Sequence, residues 1–239
     1  MIEDKLEILK QWVKNSNNIV FFGGAGVSTE SGIPDFRSTD GLYHMKYDYP
    51  PETILSHSFF KSRTKEFYEF YRDKMIYQEA KPNITHRKLS ELEKTGQLSG
   101  IVTQNIDGLH QEAGSEKVLE LHGSIHRNYC LECNAFYDLK SILELNGIPL
   151  CSCGGIIKPD VILYEEPLNN DIIKEAVKLI SKAEVLIIGG TSLSVYPAAG
   201  LVDYYQGGKL VLINKTVTSM DKNANLLINA QLGEVFSQI

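Results

Sequence analysis

The sequence has no long hydrophobic run. No stretch approaches the ~18–20 apolar residues of a membrane-crossing helix, so none is expected and no membrane partner is expected. It also lacks a surplus of positive charge, with 24 lysines and arginines against 30 acids, a net charge of -6. A general nucleic-acid binder needs such a surplus to neutralise phosphates, so no direct nucleic-acid partner is expected. Repeats and low-complexity tracts are absent. The N-terminal stretch is polar, with Ile2, Leu6, Leu9 and Val13 near helical spacing. It reads as a first helix and not as a signal peptide. A cytoplasmic location follows as the default. Cysteine is scarce, and its four copies all fall between positions 130 and 153. In that compartment they call for a role other than disulfides.

What is present is an ordinary globular composition, 43% hydrophobic and 23% charged. A chain of 239 residues suits one large α/β domain, alone or with a small inserted module. Four short apolar runs end at glycine or polar residues. They are Asn18–Phe22 before Gly23-Gly24, Gly100–Thr103 before Gln104-Asn105, Glu184–Ile188 before Gly189-Gly190-Thr191-Ser192, and Lys209–Ile213 before Asn214. Helical patterns lie between them, at Thr85–Lys94 and Asp171–Ala183. This alternation predicts an α/β fold, a Rossmann-like doubly wound parallel sheet. Ligands of such sheets sit at the carboxyl ends of the strands. Gly23–Ser28, Gln104–His110, Gly189–Ser192 and Asn214 are therefore expected to meet in one cleft. Two regions break the alternation, an aromatic-rich one and one holding all the cysteines. They are read as insertions forming a smaller lobe. The sheet lobe is assigned to 1–34, 81–126 and 159–239, a cofactor loop and helical insertion to 35–80, and a zinc-binding module to 127–158.

The first glycine turn, Gly24-Ala25-Gly26-Val27-Ser28-Thr29, is small enough for backbone N–H groups to approach a diphosphate, with a following helix N-terminus to favour the charge. Thr29 replaces the third glycine of the dinucleotide fingerprint, and no acid follows ~20 residues on to bind a ribose. Asn214 is the substitute for that acid. The alternative is a tight turn without ligand; the second turn at Gly189–Ser192 favours a ligand. Gln104, Asn105, Ile106, Asp107 and His110 cluster at a strand end, where a helix cap is the plainer explanation and a site the favoured one. His122 follows an apolar stretch and precedes a glycine, which suits a proton acceptor at a strand end. His44, His57, His86 and His110 are assigned to the core, and His126 is left open between a structural role and a functional one.

Cys130-x-x-Cys133 and Cys151-x-Cys153, followed by Gly154-Gly155, match a structural Zn2+ site with four thiolates and no open position. Free buried cysteines, or a redox pair at Cys130 and Cys133, are the alternatives.

Taken together, GAGVSTESGIPDFRS, TQNIDGLH, LHGS, the paired cysteines, IIKPDVILYEEPL, GGTSLSVYPAAG and LINK resemble the sirtuin family of NAD-dependent protein lysine deacylases. The resemblance covers nearly the whole chain, from about Ile19 to Asn214, and is to a short, bacterial-type member. It implies that Gly24, Ala25, Gly26 and Thr29 hold the diphosphate of NAD. Asp35, Phe36 and Arg37 would lie on a loop over the nicotinamide ribose, with Gln104 and Asn105 contacting that ribose. Ile106 and Asp107 would form the nicotinamide pocket. Gly190, Thr191, Ser192 and Asn214 would serve the adenosine half. His122 would be the general base, with Asn105 beside it in catalysis. The acetylated peptide would lie as an added strand along Val161–Glu165 and Leu193–Tyr196. Ile162 and Phe36 would flank the lysine stem, with Tyr164, Val195 and Tyr68 as further substrate contacts. The products would be free lysine, nicotinamide and O-acetyl-ADP-ribose. A monomer is expected.

Two departures from the family pattern carry expectations. Tyr164-Glu165-Glu166 stands where Phe-Gly-Glu is usual, which predicts a stiffer peptide-pairing loop. Succinyl-removing members carry Tyr-x-x-Arg, and Tyr68 is followed here by Tyr71, with Arg72 one step further. On a helix that step is ~100° of rotation, so Arg72 is predicted to point elsewhere and the preferred acyl group to be neutral, acetyl first. Gly32 and Pro34 interrupt the segment after the first turn, and residues ~33–45 are expected to be a cover that orders on binding.

Overall fold

Leu6, Leu9 and Val13 form the buried stripe of α1 (Ile2–Lys14), while Ile2 stays exposed. The structure, a computed structural model, describes residues 2–35, 48–218 and 220–239. The expected apolar runs become parallel strands buried on both faces: β1 (Ile19–Gly23), β2 (Leu98–Thr103), β7 (Val185–Gly189) and β8 (Leu210–Ile213). Two three-residue strands, β3 (Val118–Glu120) and β9 (Leu226–Ile228), complete the sheet at its edges. The order is β3-β2-β1-β7-β8-β9, with every neighbour parallel. Numbered within the sheet this is 3-2-1-4-5-6, the order of dinucleotide-binding folds.

Alternation along each strand fills two cores. Ile19, Phe21, Ile101, Ile187, Val211 and Ile213 pack toward α1, α5 (Ile84–Lys94) and α9 (Leu232–Phe236). Val20, Phe22, Val102, Leu186, Ile188 and Leu212 pack toward α8 (Asn170–Lys182) and the 3-10 turn Ala198–Tyr204. Asn169 caps α8 by accepting from the N–H groups of Asp171 and Ile172.

The smaller lobe has two parts. An antiparallel sheet runs β5-β4-β6, from β4 (Gly123–Cys130), β5 (Phe136–Asp138) and β6 (Ile157–Val161), with α7 (Leu139–Glu144) beside it. The helical part is α2 (Pro51–Ile54), α3 (His57–Ser62) and α4 (Thr64–Lys74), whose aromatics form a third core with Ile125, Val161 and Leu163. The boundaries drawn at 126/127 and 158/159 fall inside β4 and β6, and β4 runs on to Cys130.

One expectation fails in residues 25–35. No α-helix follows the first glycine turn there. Two three-residue 3-10 turns do, Ala25–Val27 and Thr29–Ser31, and Gly32 ends the second at φ +86°. Such short turns align too few peptide dipoles to act as a phosphate-binding helix end.

Candidate active site

Strands β1 and β7 lie side by side while their connections leave to opposite sides, which opens a crevice at their carboxyl ends. The two glycine turns close its floor. The Gly26 N–H donates to the Gly190 carbonyl at 2.8 Å. A Cβ on Gly26 would stand 2.7 Å from the Gly190 Cα, and Gly190 sits at φ +61°. Only residues without side chains let the turns approach so closely, which leaves backbone lining the crevice. Thr191 joins the next wall: its Oγ1 accepts from the Gln104 amide at 3.0 Å and from the Leu193 N–H at 3.2 Å. Asn214 donates to the Thr191 carbonyl at 3.2 Å, so the ends of β2, β7 and β8 are tied together.

The segment after β2 carries the ionisable groups. Asp107 is held from two sides, by the Ser28 hydroxyl at 2.6 Å and the Leu109 N–H at 2.9 Å. The Asn105 amide donates to the same Ser28 Oγ at 3.1 Å. Burial raises the Asp107 carboxyl above its usual range, and these hydrogen bonds oppose the rise. Asp107 thus holds the first N–H of α6 (Leu109–Glu112) and at the same time joins the Ser28–Asn105 network. His122 sits just past β3 with Nδ1 3.0 Å from the Gln104 carbonyl. A carbonyl only accepts, so Nδ1 carries the proton and Nε2 keeps a free lone pair. Burial pushes the ring's pKa down, which keeps it neutral and able to accept a proton.

The structure therefore brings together Gly24, Ala25, Gly26, Thr29, Gln104, Asn105, Asp107, His122, Gly190, Thr191 and Asn214 along one edge of the sheet. Ile106 lies between Asn105 and Asp107 and packs against the aromatic core. Ser192 is exposed, its Oγ 2.6 Å from that of Ser194. Phe36 and Arg37 lie outside the described residues, as does most of the expected cover; Asp35 is partly buried at its start.

Two residues of this network carry no individual role in the sequence pattern. Ser28, 1% exposed, joins Asn105 to Asp107. Asn83 donates to the Val27 carbonyl at 2.7 Å and to the Ser31 hydroxyl at 3.0 Å while capping α5, so one side chain pins the first glycine turn. Ser28 stood inside the quoted motif between two assigned positions. Asn83, before Ile84-Thr85-His86, showed only a cap signal.

Among the expected substrate contacts, Ile162 and Val195 are partly buried and Tyr164 is exposed. The Tyr164 N–H donates to the Leu55 carbonyl and its carbonyl accepts from the His57 N–H, both at 3.0 Å. The Tyr164 backbone is thus committed to the helical part, and an added strand has to pair elsewhere along 161–165. Tyr68 is a correction. It is 0% exposed, with its hydroxyl bonded to the Ile157 carbonyl, and it belongs to the aromatic core. Tyr71 is equally buried. Arg72 donates to the Leu145 and Gly147 carbonyls beyond α7 while its guanidinium lies over the Tyr68 ring. His57 is a second correction. It is half exposed and paired with Glu166 at 2.8 Å, because α3 presents its first turn to the 162–166 loop. His44 lies outside the described residues.

The four cysteine sulfurs all lie within 4.8 Å of one another, with three separations of 3.4–3.5 Å. A tetrahedron with ~2.3 Å metal–sulfur bonds has edges of ~3.8 Å, so the four sulfurs fit a zinc ion. The Cys153 backbone N–H and the Tyr137 hydroxyl lower the Cys151 thiol, while the neighbouring sulfurs raise Cys133 and Cys153, as expected of four thiols packed this closely. The single-residue gap at Cys151-Ser152-Cys153 is accommodated by a tight turn, in which the Cys151 N–H donates to the Gly155 carbonyl and the Gly154 N–H to that of Cys151. No helix among the described residues is long and apolar enough to cross a membrane.

The chain is similar to an NAD-dependent protein deacetylase of Clostridium perfringens (strain 13 / Type A), 59% identical over 242 residues that cover 100% of this chain and 99% of that protein. It is 58% identical to a second, from Clostridium tetani (strain Massachusetts / E88), over 99% of this chain and 97% of that one. In three dimensions it is similar to a solved Sir2 with a p53 peptide and NAD+, with a TM-score of 0.88 and 38% identity, covering 98% of this chain and 96% of that one. A Sir2 structure with deacetylated p53 peptide and 3'-O-acetyl ADP ribose gives a TM-score of 0.90 at 39% identity, covering 98% and 96%. The sequence profile of the Sir2 family matches residues 24–197, most of the glycine turns, the Asn105–Asp107 segment, His122 and the cysteines included. The chain belongs to the Sir2 family.

Proposed function

We propose that this protein is an NAD-dependent protein lysine deacetylase, working as a monomer in the cytoplasm on acetylated lysines of other proteins. The observation that carries this reading is the meeting of a neutral His122 with the Ser28–Asn105–Asp107 network at the edge of a dinucleotide-type crevice. NAD, when bound, supplies the ADP-ribosyl group that accepts the acetyl and releases nicotinamide.

Each residue has a task in that exchange. The backbone of Gly24, Ala25 and Gly26, with Thr29, takes the diphosphate, and Thr191, Ser192 and Asn214 take the adenosine half. Asp107, already fixed by Ser28 and Leu109, is an acceptor for the carboxamide N–H groups of nicotinamide. Gln104 and Asn105 hold the adjoining ribose. His122 removes a proton from a ribose hydroxyl through Nε2, and its Nδ1–H on the Gln104 carbonyl stabilises the positive charge that results. Ile162 and Val195 line the lysine stem, and Arg72, engaged at the end of α7, is not available there to favour an acidic acyl group. Cys130, Cys133, Cys151 and Cys153 hold one structural Zn2+ that fixes the end of β4. The decisive variant is His122→Ala. Turnover of NAD with an acetyl-lysine peptide is expected to fall by at least about a hundredfold, while NAD binding measured by calorimetry is kept. Unchanged turnover overturns the assignment.

A further inference from the structure

His126 was left without a task by the sequence, and the structure gives it one. Strand β4 departs from its partner at this point. Ser124 pairs with Asp160 and Asn128 with Pro159, so Ile125, His126 and Arg127 have no counterpart on β6. A bulge of this kind re-aims side chains, and each of the three finds a target. The Ile125 N–H donates to the Ile106 carbonyl at 3.1 Å. Arg127 reaches Glu120 at 2.7 Å and Asp160 at 2.8 Å. His126 Nε2 lies 2.9 Å from the Asp107 carbonyl.

We propose that His126 is a positioning residue for the nicotinamide site, holding the Ile106–Gly108 backbone through its Nε2–H. The proposal rests on the deacetylase reading above. Its geometry is specific. Because the Asp107 carbonyl only accepts, Nε2 must carry the proton. The ring packs against Gly108, where a Cβ would stand 2.7 Å from the His126 Cδ2 and where φ is +75°. No other residue at 108 lets the ring reach the carbonyl in this pose. The Asp107 carboxylate is fixed from one side by Ser28 and Leu109, and its peptide group is fixed from the other by His126. Without the second hold, the Asp107 carbonyl loses its partner, and this backbone keeps the Ile125 N–H on the Ile106 carbonyl and the Glu112 N–H on the Gly108 carbonyl. His126 touches no substrate in this arrangement; it acts through Asp107.

The test compares His126→Ala with His126→Gln, whose terminal amide sits where Nε2 does and keeps a donor. Both are measured in the full chain with NAD and an acetyl-lysine peptide, with nicotinamide added as inhibitor. His126→Ala is expected to raise the KM for NAD and the nicotinamide inhibition constant about three- to tenfold, the effect of one hydrogen bond. The KM for peptide is expected to stay within about twofold. His126→Gln is expected to recover most of the loss. The residue is exposed, so both variants should fold. Wild-type values for His126→Ala, an equal rise in the peptide KM, or a Gln variant as impaired as the Ala variant overturns the positioning role while the deacetylase reading stands. A wild-type chain that does not turn over NAD with the peptide overturns both.

Discussion

At the residue scale, Asp107 shows how one side chain serves structure and chemistry at once. Its buried carboxylate caps α6 and accepts from Ser28, yet burial raises its pKa. A raised value means that folding favours the protonated form. The stability it contributes is present at acid pH and is lost as pH rises through the folded value. Asp107→Asn removes the buried charge and keeps an acceptor for Leu109. It is expected to melt higher than the parent at pH 8, with the gap closing as the pH is lowered into the acid range. Its turnover should drop about ten- to a hundredfold, the loss of one charge-assisted hydrogen bond. A variant that melts lower than the parent at pH 8 contradicts this view of the site.

Residue types were legible where their chemistry was unusual for their setting. Asp107 and His122 were such cases. Ser28 was not, because a serine in a turn signals nothing until its partners are known. Tyr68 misled for the same reason: its neighbours Phe60, Phe67 and Tyr71 surround it on three sides, and no spacing rule reveals that. Glu165 lies in the 162–166 loop that carries the departure from the family pattern. It sits at φ +75°, a conformation that suits glycine, and its carboxylate is held by the Ser58 N–H and hydroxyl, both at 2.9 Å.

At the scale of elements, α5 and α6 meet through two buried histidines. The rings of His86 and His110 are 4.7 Å apart, and both nitrogens of His110 and the Nε2 of His86 have no partner among the described residues. Burial pushes His86 down to about 4 and His110 to about 3. Such a base binds fewer protons folded than unfolded. Its stability is present above the unfolded value and is lost as pH falls toward the folded one. The melting temperature is expected to fall steadily from about pH 6.5 to about pH 4, and His110→Phe to flatten that slope. Parallel slopes for parent and variant would contradict the role given to this pair. The expectation that these histidines belong to the core holds; that their nitrogens are satisfied within the protein does not. Helix caps and strand runs were readable from local pattern. The short edge strand β9 was not, since three residues carry no periodicity and depend on the neighbour already in place, whereas β3 showed as the apolar stretch before His122.

At the scale of the whole molecule, the alternation of strands and helices indicated the doubly wound sheet, and the resemblance of its motifs indicated the rest. What local pattern could not give is how the two lobes are joined. That junction is built from β4 and β6 and from Arg127 bridging Glu120 and Asp160, while Arg72 reaching the end of α7 ties the two parts of the smaller lobe together. The arginines use charges whose partners are visible only in the fold. The crevice and its ionisable residues lie against that junction, where an added peptide strand and NAD can meet.

The central claim is that acetyl leaves lysine for the ribose of NAD. The most direct measurement is mass spectrometry of the purified protein with NAD and an acetyl-lysine peptide, reading peptide and nucleotide together. Deacetylated peptide, nicotinamide and O-acetyl-ADP-ribose are expected in equal amounts. ADP-ribose attached to a peptide that keeps its acetyl group would contradict it.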